Sequence, residues 1–177
     1  MKKILFLIMT VGVFMTSCEK EKAGGTSTQK IAGEWSVTMD AVKADGSVLY
    51  EDIFGIGHFN ILTYNTEKNV PTEMWVDDED NSWGFKAIVN LDYNAATFTT
   101  QDYVENFGSD AESTPGAKVK IIDGKVLYGA AITPSGMPAD SIIFYVSFDD
   151  DDYPAAYGYE NYKISGYRYT GFANDDQ

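Results

Sequence analysis

Cysteine, histidine and arginine each occur once in the 177 residues, as Cys18, His58 and Arg168. A single cysteine excludes an intrachain disulfide framework, and with one histidine it cannot assemble a Cys/His zinc site. Cations are scarce overall, with 13 Lys+Arg against 27 Asp+Glu. A nucleic-acid binder needs a basic face to displace counterions, and this chain lacks the residues to build one. Electrostatic docking to anionic headgroups is excluded for the same reason. Helical periodicity is missing as well: after Thr28 no sustained apolar spacing of 3.6 residues appears.

The stretch Ile4–Phe14 is apolar but only eleven residues long, whereas a membrane-spanning helix needs about 20. Lys2 and Lys3 precede it and Met15-Thr16-Ser17-Cys18 follows it, the pattern of an export signal. Its last four residues resemble the bacterial lipoprotein box, in which the cysteine is acylated and becomes the new N-terminus. That resemblance implies a signal peptide over 1–17 and a membrane anchor at Cys18. The polar run that follows, rich in Glu, Lys, Gly, Ser and Thr, reads as a tether through residue 29. The remaining residues, 30–177, are expected to form one domain. The expected location is the cell envelope, lipid-anchored, at the outer membrane.

In that domain apolar residues alternate. Trp35, Val37 and Met39 share one face of a segment; Phe85, Ala87, Val89, Leu91 and Tyr93 share another; Ile142, Phe144, Val146 and Phe148 a third. Polar residues occupy most of the intervening positions, so each segment is a strand with one wet face. Turn-forming clusters fall at 44–46, 65–71, 77–82, 108–116, 134–140 and 149–158. Asp123-Gly124, between two further apolar runs, predicts a tight hairpin because both central residues of a type I′ turn need positive φ. Counting gives eight or nine strands, an all-β antiparallel barrel or sandwich.

Gly33-Glu34-Trp35 at the start of the first strand resembles the G-x-W of the lipocalin superfamily. There the tryptophan closes one end of the barrel and a late arginine packs across its indole, a pairing that Trp35 and Arg168 would reproduce. The run Ser135–Ile142, the acidic turn and Gly166–Phe172 together resemble a family of bacterial lipoproteins described as lipid-binding putative hydrolases. That resemblance implies a lipocalin-like β-barrel. It departs from true lipocalins in lacking a cysteine pair and a C-terminal helix pattern.

By alternation, Trp35, Met39, Phe85, Val89, Phe144 and Phe148 point inward. They either line a cavity for a small apolar or amphipathic ligand or simply fill the barrel. Hydrolysis has a weak basis: no Gly-x-Ser-x-Gly elbow occurs, His58 is the sole imidazole, and Ser135 sits in turn chemistry. The acidic tracts at 77–81 and 149–152 lack EF-hand spacing, leaving an irregular Ca²⁺ site or a solvated loop. No cofactor or metal centre is expected. The leading expectation is a lipoprotein whose barrel binds a small hydrophobic or amphipathic ligand such as a lipid; the alternatives are a lipid or glycan hydrolase and a non-catalytic accessory subunit of a surface uptake complex.

Overall fold

A computed structural model describes residues 24–175; the segment expected to be an export signal and Cys18 lie outside them. Strand β1 (Gly33–Val42) leads into a short β2 (Val48–Tyr50), then β3 (Phe59–Tyr64), β4 (Glu73–Asp77), β5 (Lys86–Asp92) and β6 (Thr97–Thr99). A two-residue β7 (Val104–Glu105) and a single helical turn α1 (Asp110–Ser113) precede the long β8 (Lys118–Ile132) and β9 (Pro138–Phe148). Helix α2 (Tyr153–Tyr157) and β10 (Asn161–Arg168) complete the fold.

All pairings are antiparallel, and each barrel strand bonds to its predecessor around the ring. The order is β10-β9-β8-β6-β5-β4-β3-β1, and β10 pairs with β1 from Trp35↔Arg168 to Val42↔Asn161. Eight strands therefore close a barrel with no free edge, and β2 and β7 pair outside the ring, on β1 and β8. The expected alternation is visible in burial: β5 and β9 bury every second residue, with Ala87, Val89 and Leu91 inward on one and Ile142, Phe144, Val146 and Phe148 on the other.

The hairpin expected at Asp123-Gly124 does not form. β8 runs through both residues, because Ile122 pairs with Tyr145 and Lys125 with Ile143 on the same neighbour, β9. The positive φ of Asp123 (53°) serves a bulge instead of a turn. Gly124 is required there for a steric reason, since a Cβ would run into the Phe98 ring. The true reversal comes later, at Thr133–Met137, where Gly136 N–H bonds the Thr133 carbonyl at 2.8 Å.

The two barrel ends differ. At one end Trp35 is fully buried, its Nε1–H donating to Thr63 Oγ1 (2.9 Å), which in turn donates to the Ile31 carbonyl (2.7 Å). Arg168 lies over this indole, its Cζ 4.2 Å from the ring centre. The N-terminal turn, the β3–β4 and β5–β6 connections and the β8–β9 reversal share that end. The opposite end gathers the β1–β3 and β4–β5 connections, α1 and α2.

Candidate functional site

The six residues read from alternation lie in one continuous core. Trp35, Met39, Phe85, Val89 and Phe144 are fully shielded, and Phe148 is 4% exposed. They pack on one another and on their neighbours, for example Phe98 against Phe144 with ring centres 5.7 Å apart and Phe85 against Phe148 at 5.7 Å. Phe85 and Phe148 are the ones that reach the end opposite Trp35.

At that end a second layer of aromatic residues covers the core. Trp83 stacks on Phe148 at 4.6 Å with the rings 8° from parallel, and Phe54 leans on both Trp83 (6.0 Å) and Tyr162 (5.4 Å). Beyond them Tyr50, Ile53, Phe54, Tyr153, Tyr157 and Tyr159 line a cleft of about 400 Å³. Its volume falls at the small end of the range for ligand sites.

Local chemistry fixes each wall of the cleft. Asp52 adopts φ 42° and its carboxylate accepts the N–H groups of Ile56 and Gly57, while Ile53 N–H bonds the Met39 carbonyl. This turn folds Ile53 and Phe54 back over the barrel. On the far wall, Pro154 lies in the first turn of α2, and Gly158 ends the helix at φ 79° with its N–H on the Pro154 carbonyl. Four residues apart, Tyr153 and Tyr157 therefore share one face, their rings 5.9 Å apart.

The cleft also has a polar seam. Tyr162 is fully buried and donates to Asp151 Oδ2 (2.7 Å), so Tyr159 donates to Tyr162 (2.7 Å). Burial, then the bonds to Tyr159 and Asp151, push the Tyr162 hydroxyl far above the ordinary tyrosine range. The indole N–H of Trp83 is shielded from solvent and makes no hydrogen bond of normal geometry. It lies near enough to the Asp110 carboxylate to favour its charged form, against burial and the Asp150 charge, which raise the Asp110 pKa.

Each acidic tract contributes carboxylates that hold the local backbone. Asp78 is 1% exposed, and its carboxylate accepts backbone N–H groups from Asp80, Ser82, Trp83, Gly84 and Phe85 together with the Ser82 hydroxyl. Burial raises its pKa despite these donors. The turn so formed aims Trp83 at the cleft and Phe85 at the core. In the second tract, Asp149 accepts the Lys118 N–H and Asp151 accepts from Tyr153 N–H as well as Tyr162. Among the described residues no cluster of three or more metal-capable side chains occurs.

His58 lies on the outer wall of the barrel, its Nδ1 3.2 Å from Ser36 Oγ. Together with Ile56, Asn60, Asn81 and Tyr169 they rim a polar groove of about 690 Å³. Ser36 is largely buried and sits in mid-ladder, between Asn60 of β3 and Tyr167 of β10, and not on an exposed elbow. Ser135 holds the β8–β9 reversal, its N–H on Asp175 Oδ1 at 2.7 Å.

Sequence alternation finds inward residues of the barrel strands and is silent about what lies outside the ring, so it missed the residues of the aromatic cleft. The signal available is the tyrosine density of 153–159, at and just past the turn-forming cluster 149–158. A comparison with curated proteins found no match. The profile of the family described as lipid-binding putative hydrolase matches residues 20–173, the whole barrel included, and the chain belongs to that family.

Proposed function

We propose that this protein is an envelope lipoprotein, anchored through acylated Cys18, that holds the hydrocarbon part of a lipid in the aromatic cleft at the end of its barrel away from Trp35. The observation that carries this reading is the cleft itself, walled by Tyr50, Ile53, Phe54, Tyr153, Tyr157 and Tyr159. Apolar ring faces take an acyl chain, while the hydroxyls at the rim suit a polar headgroup. The barrel interior is already occupied by side chains, so the ligand rests on the core and not within it.

Native mass spectrometry tests this on residues 19–177, which retain every strand, incubated with fatty acids and acyl esters. A discrete adduct of intact ligand mass supports the reading. Absence of any adduct across saturated and unsaturated chains overturns it. The Ser36–His58 contact favours a second reading, ester hydrolysis in the outer groove. Released acid without an adduct, lost in Ser36→Ala, would establish that activity in place of lipid retention.

A further inference from the structure

The β8–β9 hairpin overshoots the barrel. The last β8 residue paired with β6 is Lys125, and the last β9 residue paired with β10 is Ser141. Beyond them the ladder holds only Ala131↔Ala139 and Ile132↔Pro138, with 128–130 bulged out of register, so the strand pair and its reversal project by roughly 15 Å. The projecting part is apolar and exposed: Leu127, Tyr128, Ile132 (66%) and Met137 (56%). Phe172 (63%) belongs to the same surface, because the tail that carries it is tied to the hairpin tip through Asp175 and Ser135. A cluster of this kind on a chain with 27 acidic residues calls for an apolar partner.

The first described residues lie at this same end. Ser27 bonds Asn69 in the β3–β4 connection, and Arg168 reaches from the Lys30 and Ala32 carbonyls to Asp140 at the base of the hairpin. Cys18 stands six residues before Gly24, a span that an extended chain covers in about 20 Å at most. The tether and the hairpin thus have similar reach from one end of the barrel.

We propose that the overhanging hairpin, with Phe172 beside it, rests on the membrane to which Cys18 tethers the chain, so that the aromatic cleft opens on the opposite side. This rests on the acylation of Cys18 proposed above. Docking is by burial of Ile132, Met137 and Phe172 among lipid chains and needs no headgroup charge. The cleft then faces away from the anchoring bilayer, and a lipid it holds is taken from or passed to something other than that bilayer.

The test uses the full acylated protein in phosphatidylcholine vesicles. Acylation occupies the native thiol, so Met137→Cys or Tyr157→Cys carries the only site for a polarity-sensitive fluorophore. Flotation comes first: a protein that does not float overturns the anchoring and this proposal with it. For floating protein, brominated phosphatidylcholine is expected to quench the label at 137 several-fold more than the label at 157, and Ile132→Asp to relieve that quenching. Weak quenching at both positions, or stronger quenching at 157, overturns the docking while leaving the anchor intact. A blue shift at 137 without quenching also overturns it, since a second copy or another protein then covers the hairpin.

Discussion

The guanidinium of Arg168 lies flat enough on Trp35 to bring its central carbon 4.2 Å from the ring centre, while its three nitrogens are spent on Asp140, Ala32 and Lys30. One side chain thereby joins the first strand, the last strand, the N-terminal turn and the base of the β8–β9 hairpin. The contact with the indole and the fork of donors are both properties of a planar guanidinium that lysine lacks. Gly33 makes the approach possible, because a Cβ there would overlap the Arg168 Nη1.

Arg168→Ala is expected to lower stability by about 2–3 kcal/mol, the loss of the cation–π contact together with two orphaned carbonyls and an unpaired Asp140. In a domain of this size that is roughly 5–10 °C in Tm. Arg168→Lys should recover less than half, and Gly33→Ala should resemble Arg168→Ala because it evicts the same group. Thermal denaturation followed by circular dichroism reads all three.

The tyrosine pair at the cleft predicts a loss of stability in alkali. An unfolded Tyr162 ionises near its ordinary value of 10.0, whereas burial and the bonds to Tyr159 and Asp151 keep the folded hydroxyl protonated well above it. A folded pKa raised above the unfolded one gives stability that is complete below about pH 10 and declines as pH rises further. Each such group contributes a slope of about 1.4 kcal/mol per pH unit. Tyr159 and Tyr64 are shifted the same way, burial being the leading cause in both. Urea midpoints between pH 9 and 11 should therefore fall steeply in the native protein and less steeply in Tyr162→Phe.

Asp78 organises the turn that delivers Trp83 and Phe85, and its removal is expected to be costly. Asp78→Ala orphans up to five N–H groups, and partial rehydration of an exposed loop limits the damage to about 2–4 kcal/mol. Asp78→Asn keeps one acceptor oxygen, sheds the charge that burial disfavours, and should fall between the two. Urea denaturation measures the stability, and Trp83 emission should shift to the red in Asp78→Ala even below the unfolding transition.

The barrel was legible in the sequence because period-2 alternation with one wet face has few other solutions. Residues such as Val89 and Phe144 are buried where alternation put them. Asp123-Gly124 misled because the backbone requirement it signals, a residue at positive φ, is met equally by a turn and by a bulge. Only the pairing of both flanks with β9 decides between them. Within the first acidic tract the buried member could not be picked out in advance. Nothing in a run of four or five polar residues distinguishes Asp78, saturated with backbone donors, from its exposed neighbour Glu79. Cleft residues such as Phe54 and Tyr157 come from connections, where position follows from turns and helix caps and not from strand period.

Cleft and core residues should respond to mutation in opposite ways. Tyr157 is more than half exposed, so Tyr157→Ser should leave Tm nearly unchanged while weakening retention of a fatty acid by about tenfold, equivalent to ~1.4 kcal/mol. Ile53→Asp places a charge against the acyl chain and should abolish retention. Met39→Ala, in the packed interior, should cost about 2–4 kcal/mol of stability through the cavity it leaves, yet keep the affinity of the protein that remains folded. His58→Gln, on the outer wall, should alter neither. Titration of the four variants with a fluorescent fatty acid, alongside their melting curves, reads both axes. If Met39→Ala lost affinity at unchanged stability, the ligand would lie inside the barrel after all.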